Sequence, residues 1–318
     1  MNLNSVNFSV GSKLKFIVIS SSIQSKSAGS RVLYRLPEDI RSLGYQANRI
    51  LLRQIHKEEF LISVDEKNFI PFQTKTLEQY FDPEDVILIH GENLHHKYFD
   101  NFNVARFYLN KIGALKNIGV PRQGEYKIAW NSGFVENSDF ILRRPLVKQP
   151  KNEVLRLDQP RLIDLTYVGK GAIYDSRFSR LPGTIELTRT WPGDDDEYLL
   201  LLSKTRFLFT FDVQSAVVEE AIVYGVIPVL MTFQPMSSID ELFKIYNEEL
   251  AKCCLTFEEY GQITDSNFEV FLNNFSRNRQ KFISYLDLQR ADYPNKLLQL
   301  LTSLQKRFDL MPTSSMND

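Results

Sequence analysis

The segment Phe207–Leu230, FLFTFDVQSAVVEEAIVYGVIPVL, constrains this chain more than any other. Phe207 to Phe211 is an apolar, aromatic run without helical spacing, so it reads as a strand. Asp212 and Ser215 bring cap chemistry, and an amphipathic stretch then runs to Tyr224. Gly225 stops the helix, and Val226–Leu230 resumes as a buried strand. A helix that starts directly at a strand end aims unpaired N–H groups over the edge of a parallel sheet. Such an edge favours anions, phosphate above all. Glu219 and Glu220 follow later in the same helix. A carboxylate there can reach a sugar hydroxyl while the amides hold phosphate, so the segment points to a nucleotide or a nucleotide-sugar.

The rest of the chain must supply a scaffold for that edge. At 318 residues, with 43% hydrophobic and 12% aromatic content, it can build two ordinary domains. A formal net charge of −1 provides no global field for nucleic acid or an anionic membrane. The amino terminus lacks a signal-peptide core, and no apolar run approaches the ~20 residues of a membrane span. Cys253 and Cys254 are adjacent, which suits neither a disulfide nor a zinc site. They are expected as packed thiols in a reducing, cytoplasmic setting.

Along the chain, residues 1–12 are expected to be a disordered arm. Leu14–Ser20 is a first buried strand, SSIQSKSAGS a loop, and Arg31–Leu43 an amphipathic helix interrupted by Pro37. Tyr45–Leu52, Phe60–Val64, Asp85–His90, Tyr126–Asn131 and Phe140–Leu142 are further strands. Leu77–Phe81 is a short helix, and Val104–Leu115 is expected to be a longer one. Residues 13–150 thus form a first Rossmann-like domain, and the polar stretch 151–160 a linker. The alternation restarts in a second domain, 161–288. It has strands at Leu162–Val168, Thr184–Thr188, Phe207–Phe211 and Val226–Leu230, and helices at Asp194–Lys204, Ser215–Tyr224 and Ser238–Cys253. Phe268, Phe271, Leu272 and Phe275 mark one late helix. Leu297, Leu298, Leu301 and Leu304 mark another, a closing helix within 289–318. The fold class is α/β: two Rossmann-like domains facing each other across a cleft.

Ligands of open parallel sheets bind outside the carboxyl ends of the strands. In the first half those ends offer Ala28, Gly29 and Ser30, a loop for sugar or acceptor, then His90 and Glu92. In the second half they offer Gly169–Lys170–Gly171, then Arg189 and Trp191–Pro192, then Asp212, Ser215 and Glu220. Glycines flanking Lys170 let backbone approach a phosphate, and its ammonium adds charge. Arg189 could pair with a diphosphate, and Trp191 could wall a base pocket. Glu220 can accept from ribose or sugar hydroxyls, whereas Glu219 is expected to be solvated. Asp212 is either a helix cap or a donor contact. Glu92 and His90 are the candidate general bases. Metal dependence is not expected: His95–His96 lacks partners, and the Asp194–Asp195–Asp196 run reads as the acidic first turn of a helix.

These residues carry a resemblance. TYVGKG, ELTRTWP and LLSKTRFLFTFDVQSAVVEEAIVYGVIPVL are similar to the donor domain of GT-B glycosyltransferases of the bacterial nucleotide-sugar-dependent type. The shared pattern falls on Gly169, Lys170, Gly171, Arg189, Trp191, Pro192, Asp212, Ser215, Glu220, Ala221, Gly225, Pro228 and Val229. In the amino half, SAGSRVLYRLPEDIRSLGY and VILIHGENLHHKYFDNFNVARFYLNKIG resemble the acceptor domain. The likeness implies a nucleotide-sugar donor and a glycan or glycoconjugate acceptor, reached at the inner face of a membrane. Glu220 would be the ribose-contacting glutamate, and Lys170 and Arg189 would face the diphosphate. The nucleotide-sugar is a substrate, so no cofactor is implied, and nucleic acid is not expected as a partner. The family's Glu-x7-Glu signature is altered here, with the shorter Asp212 in the first half of the pair, so inverting and retaining outcomes both stay open. Two other functions fit the same residues: a non-catalytic nucleotide-sugar-binding or assembly protein, and a nucleotide-sugar epimerase.

Overall fold

The computed structural model describes residues 15–21, 27–56, 59–73, 75–112, 123–147, 161–213, 215–231 and 248–308. The expected arm 1–12, the linker 151–160 and positions 238–247 of an expected helix lie outside these residues. The chain divides into two compact units. One takes Gly29–Arg144 and Asp292 onward together with the first strand; the other takes Pro145–Ala291 and the few residues before Gly29.

The first unit holds an eight-stranded sheet in the order β4-β3-β2-β1-β5-β6-β7-β8. Its strands are β1 (Lys15–Ser21), β2 (Gln46–His56), β3 (Glu59–Ser63), β4 (Ile70–Pro71), β5 (Val86–Gly91), β6 (Asn103–Tyr108), β7 (Tyr126–Ala129) and β8 (Phe140–Ile141). From β2 to β8 neighbouring strands run parallel, while β3 and β4 form an antiparallel extension at one edge. Every residue of β5 is buried, as a strand covered on both faces requires. Helix α1 (Ala28–Ser42) buries Val32, Leu33, Leu36, Pro37 and Ile40.

Residues 103–108, expected within a helix, form strand β6 between β5 and β7. Val104, Phe107 and Tyr108 satisfy helical spacing, but β-branched and aromatic residues fit a strand equally well. Pairing on both edges decides for the strand. Arg106, in register with His90, then reaches a buried ion pair with Glu125 at 3.2 Å. Tyr108 donates to the same carboxylate.

The second unit holds a five-stranded parallel sheet in the order β10-β9-β11-β12-β13. Its strands are β9 (Ile163–Tyr167), β10 (Ile185–Leu187), β11 (Thr205–Thr210), β12 (Ile227–Leu230) and β13 (Leu255–Thr256). The helices are α2 (Gly171–Tyr174), α3 (Asp195–Ser203), α4 (Ala216–Val223), α5 (Glu248–Ala251), α6 (Phe257–Gly261) and the start of α7 (Asp265–Arg307), whose residues from Asp292 on belong to the first unit. The two expected late helices are one, because α7 runs 43 residues through Pro294. Phe275, Phe282, Leu286, Tyr293, Leu297, Leu300, Leu301 and Leu304 are all buried along it. That stripe keeps three- and four-residue spacing across the proline, so packing continues where the local signal predicts a break. Cys253 and Cys254 are free thiols, and burial pushes Cys253 up to about 12.

Two guanidinium groups close the carboxyl ends of α3 and α4. Arg161 donates to the Leu202 carbonyl of α3 at 3.4 Å, to that of Thr205 just beyond it at 2.8 Å and to that of Tyr224 at 2.8 Å, and Arg279 donates to those of Ile222 and Val223 at 3.0 and 2.6 Å. Terminal carbonyls of a helix have no partner of their own, and cations suit that end of the dipole. Burial, and then repulsion by Arg279, brings Arg161 down to about 10, so it stays charged at neutral pH. Replacing Arg279 by Met is expected to cost about 2–3 kcal/mol, since two buried carbonyls lose their donors. Arg279→Lys should restore little, because an ammonium cannot reproduce the planar fork. Urea unfolding of the three proteins measures both effects.

Candidate active site

In the second unit, β9 is the first strand in sequence and stands between β10 and β11, so the order in which strands are added to the sheet reverses beside it. Ligands of doubly wound sheets bind outside such a switch point. The segments that leave β9, β10 and β11 there contain Gly169–Lys170–Gly171, Arg189–Thr190–Trp191 and Asp212–Ser215.

Gly169 turns the chain with φ +52, and a methyl group on it would lie 2.6 Å from Asp212 Oδ2 and 2.6 Å from Tyr167 Cε1. A methyl group on Gly171 would lie 2.6 Å from Phe211 Cβ and 2.9 Å from the Phe211 carbonyl. Both glycines therefore allow the segment after β9 to lie directly against the segment after β11. Asp212, only 4% exposed, fastens the two together: Oδ2 accepts from Lys170 N–H at 2.9 Å, and Oδ1 lies 3.6 Å from Lys170 Nζ. Asp212 is thus not the cap of α4, which is Ser215, but the anchor of the lysine loop.

Ser215 is the N-cap of α4 and accepts from Val217 N–H at 3.2 Å. Tyr167, the last residue of β9, is buried, and its ring lies against Gly169. Burial first, and the nearby Asp212 carboxylate second, raise its pKa, so the phenol keeps its proton. Lys170, Asp212 and Ser215 are thereby brought to one place beside the Tyr167 ring, and Arg189 follows the end of β10, whose Leu187 pairs with Tyr167. Sequence reasoning passed over Tyr167 as a strand residue. The one available signal was its position two residues before the GKG turn.

Trp191 is 41% exposed, at a turn in which Thr188 Oγ1 accepts its N–H at 2.9 Å. Its bond to Pro192 is cis. Glu220 is buried, and its Oε2 accepts from Tyr198 of α3 at 2.8 Å. Glu219, expected in solvent, is also buried, at 5% exposed, because every residue of α4 from Val217 to Val223 is covered. An eight-residue helix packed this closely leaves no polar face.

The first unit repeats the switch point between β1 and β5. Ala28, Gly29 and Ser30, expected in a loop, are the opening residues of α1. A methyl group on Gly29 would meet Leu109 at 3.3 Å, so this glycine serves close packing. Ser30 Oγ accepts from Ser21 at 2.8 Å. Glu92, 7% exposed, accepts from Leu109 N–H at 3.0 Å and from the Asn110 side chain, which ties it to the segment after β6. His90 is fully buried, stacks on Phe99 at 4.5 Å, and shares a 2.8 Å hydrogen bond between Nδ1 and the Gly91 carbonyl. Burial, reinforced by Arg106, lowers its pKa to about 3. An imidazole sealed in the sheet cannot take a proton from an acceptor at the edge, so the expectation of His90 as a base is corrected.

Among the described residues no cluster of three or more His, Cys, Asp or Glu is placed to hold a metal, and no helix is long and apolar enough to cross a membrane. No family model matches the chain, and no curated protein matches it. Among solved structures, it is similar to MurG of Acinetobacter baumannii. That likeness has 9% identity over 92% of this chain and 99% of the other, with a TM-score of 0.41. It is also similar to an alpha-glucosyltransferase in complex with UDP and a 13-mer DNA containing a HMU base. There the identity is 10% over 94% of this chain and 99% of the other, with a TM-score of 0.37. Identities of this size assign no residue role, and the roles below are argued from this chain's own geometry.

Proposed function

We propose that the protein is a GT-B-type glycosyltransferase that moves a sugar from a nucleotide-sugar donor to a hydroxyl of a glycan or glycoconjugate, without a metal ion. The observation that carries this reading is the meeting of the Lys170 loop with the Ser215 end of α4 through Asp212, at the switch point of the second sheet where the strand leading to Arg189 also ends. Two cations and a helix amino terminus stand where charge would develop on a departing nucleoside diphosphate. Asp212 offsets part of that charge while holding Lys170 in place.

On this reading the exposed Trp191 indole stacks on the base, and Glu220, aimed by its bond to Tyr198, accepts from the ribose. Glu92, fastened to the segment after β6, takes the acceptor proton if the reaction inverts.

A thermal-shift screen over UDP-, GDP-, dTDP- and CMP-sugars tests the reading. One donor, at about 100 times its Kd, is expected to raise the midpoint by roughly 5 °C. Lys170→Ala and Arg189→Ala should each lose most of that rise. Arg189 is exposed, so its replacement should leave the unliganded midpoint nearly unchanged. If no nucleotide-sugar stabilises the parent, or both variants respond as the parent does, the reading fails. Stabilisation with neither transfer nor hydrolysis would make the protein a nucleotide-sugar-binding partner instead.

A further inference from the structure

The first unit contains a cavity of about 200 Å³ that the proposed function leaves unused. Phe102 and Glu125, two of its walls, immediately precede β6 and β7. The cavity therefore lies at the amino ends of these strands, whereas Glu92 is fastened to the segment beyond the carboxyl end of β6. Phe99 and Phe308 complete an apolar wall with Phe102, and Arg106, Glu125 and Asp100 are the charged groups of the lining.

Two of those charges are built into the interior. The side chains of Arg106 and Glu125 are 4% and 3% exposed, with Arg106 Nη2 3.2 Å from Glu125 Oε2. Tyr108 donates to the other carboxylate oxygen. Among the described residues no hydrogen bond reaches Oε2, so the arginine opposes its charge without supplying an aligned donor. A buried carboxylate needs its lone pairs filled as well as its charge opposed. Asp100, which is exposed, adds a second carboxylate where the cavity meets solvent. His90, in register with Arg106, stays neutral because burial opposes its protonation. The walls thus carry two negative charges against one positive.

Each of these features narrows the occupant. An excess of carboxylate disfavours anions. Three phenyl walls offer a metal ion no ligands, and the described residues hold no cluster of three metal-ligating side chains. Water can donate to Oε2, but it does not offset the excess charge, and it gains nothing against the phenyl rings. The cavity is smaller than the roughly 300–1,000 Å³ of drug-sized sites, which limits the occupant to a few carbons. An aliphatic ammonium supplies the donor, the positive charge and an apolar chain in a small volume. A second ammonium at the far end of that chain meets Asp100.

We infer that this cavity is a binding site for a short aliphatic diamine, with one ammonium donating to Glu125 Oε2, the methylene chain against the phenyl rings and the other ammonium facing Asp100. The site lies in the first unit alone, so it stands or falls apart from the donor site of the second.

Calorimetry on the full chain at about pH 7, where aliphatic amines are charged, compares diaminobutane, aminobutane and butanediol at equal ionic strength. Diaminobutane is expected to bind about 3-fold more tightly than aminobutane, as one exposed ion pair allows, and butanediol is expected not to bind. Glu125→Gln should weaken both amines by at least about 30-fold, because a buried ion pair is lost. Asp100→Asn should weaken diaminobutane about 3-fold and bring it level with aminobutane. Phe308→Ala should weaken both amines about 5-fold by removing apolar wall. Glu125→Gln leaves Arg106 without its counter-charge, so if that variant folds poorly, Asp100→Asn and Phe308→Ala carry the test.

Failure of diaminobutane to bind the parent, equal binding of butanediol, or equal affinity of the parent for the two amines would overturn the inference. So would diaminobutane binding that neither Asp100→Asn nor Phe308→Ala changes, since the amine would then sit elsewhere.

Discussion

Gly169→Ala is expected to lower the stability of the protein by about 3 kcal/mol and to abolish its response to nucleotide-sugars. Two costs combine. The left-handed conformation, φ +52, costs an alanine about 1 kcal/mol. The new methyl group, 2.6 Å from Asp212 Oδ2 and from Tyr167 Cε1, adds the roughly 1–3 kcal/mol of an overpacked site. Relief requires Asp212 and Tyr167 to move, and Asp212 holds Lys170 in place. Stability and binding should therefore fail together. Gly183→Ala is the control within the same unit: its φ is +79, but no atom lies within 4 Å of the added methyl. It should cost only the conformational part, about 1 kcal/mol, and leave binding intact. Urea unfolding and thermal shift on both variants measure the contrast. Equal losses at the two positions would refute the packing argument.

Acid should unfold the protein partly through His90. In the fold its pKa is lowered from 6.5 to about 3, because the fully buried ring resists charging and Arg106 repels the cation. In the unfolded chain the imidazole binds its proton near pH 6.5. Between those two values the unfolded state holds more protons, so this contribution is complete above pH 6.5 and is lost as pH falls towards 3. The slope attributable to one such group approaches about 1.4 kcal/mol per pH unit, which brings the total to the order of 5 kcal/mol. His90→Phe should keep the stacking on Phe99 and remove this dependence. Carboxylates also weaken the fold in acid, so the difference between parent and variant is the informative quantity. It should grow steadily in the variant's favour as pH falls from about 7 to about 4 in urea titrations. Parallel curves would mean that His90 does not resist protonation.

Much of the second unit was legible residue by residue. The run from Phe207 to Leu230 folds as the strand, helix and strand that its pattern predicts, with Ser215 at the cap and the chain turning at Gly225. Cap chemistry and continuous apolar runs act over a few residues, so they can be read locally. The Lys170, Arg189, Asp212 and Ser215 positions were legible for a related reason: each follows a strand end, and strand ends of a parallel sheet gather at one edge. The misreadings share the opposite cause. Residues 103–108 have apolar spacing that suits helix and strand alike, and only pairing with β5 and β7 resolved it. Pro294 marks a helix end locally, yet the buried stripe from Phe275 to Leu304 carries one helix across it. His90 looked like a base at a strand end because sequence alone cannot distinguish a side chain at the mouth of a sheet from one sealed within it.

Local chemistry by itself determined the alternating α/β order, the strand ends and the candidate anion-binding residues, because propensity, capping and hydrophobic period are properties of neighbouring residues. Only the tertiary structure decided which candidates meet and which are sealed off. It placed Tyr167 between the strands that lead to Arg189 and Ser215, turned Asp212 into the anchor of Lys170, and buried His90 and Glu219. Those outcomes depend on strand order and burial, which are set by pairings between distant segments, and no window along the chain contains them.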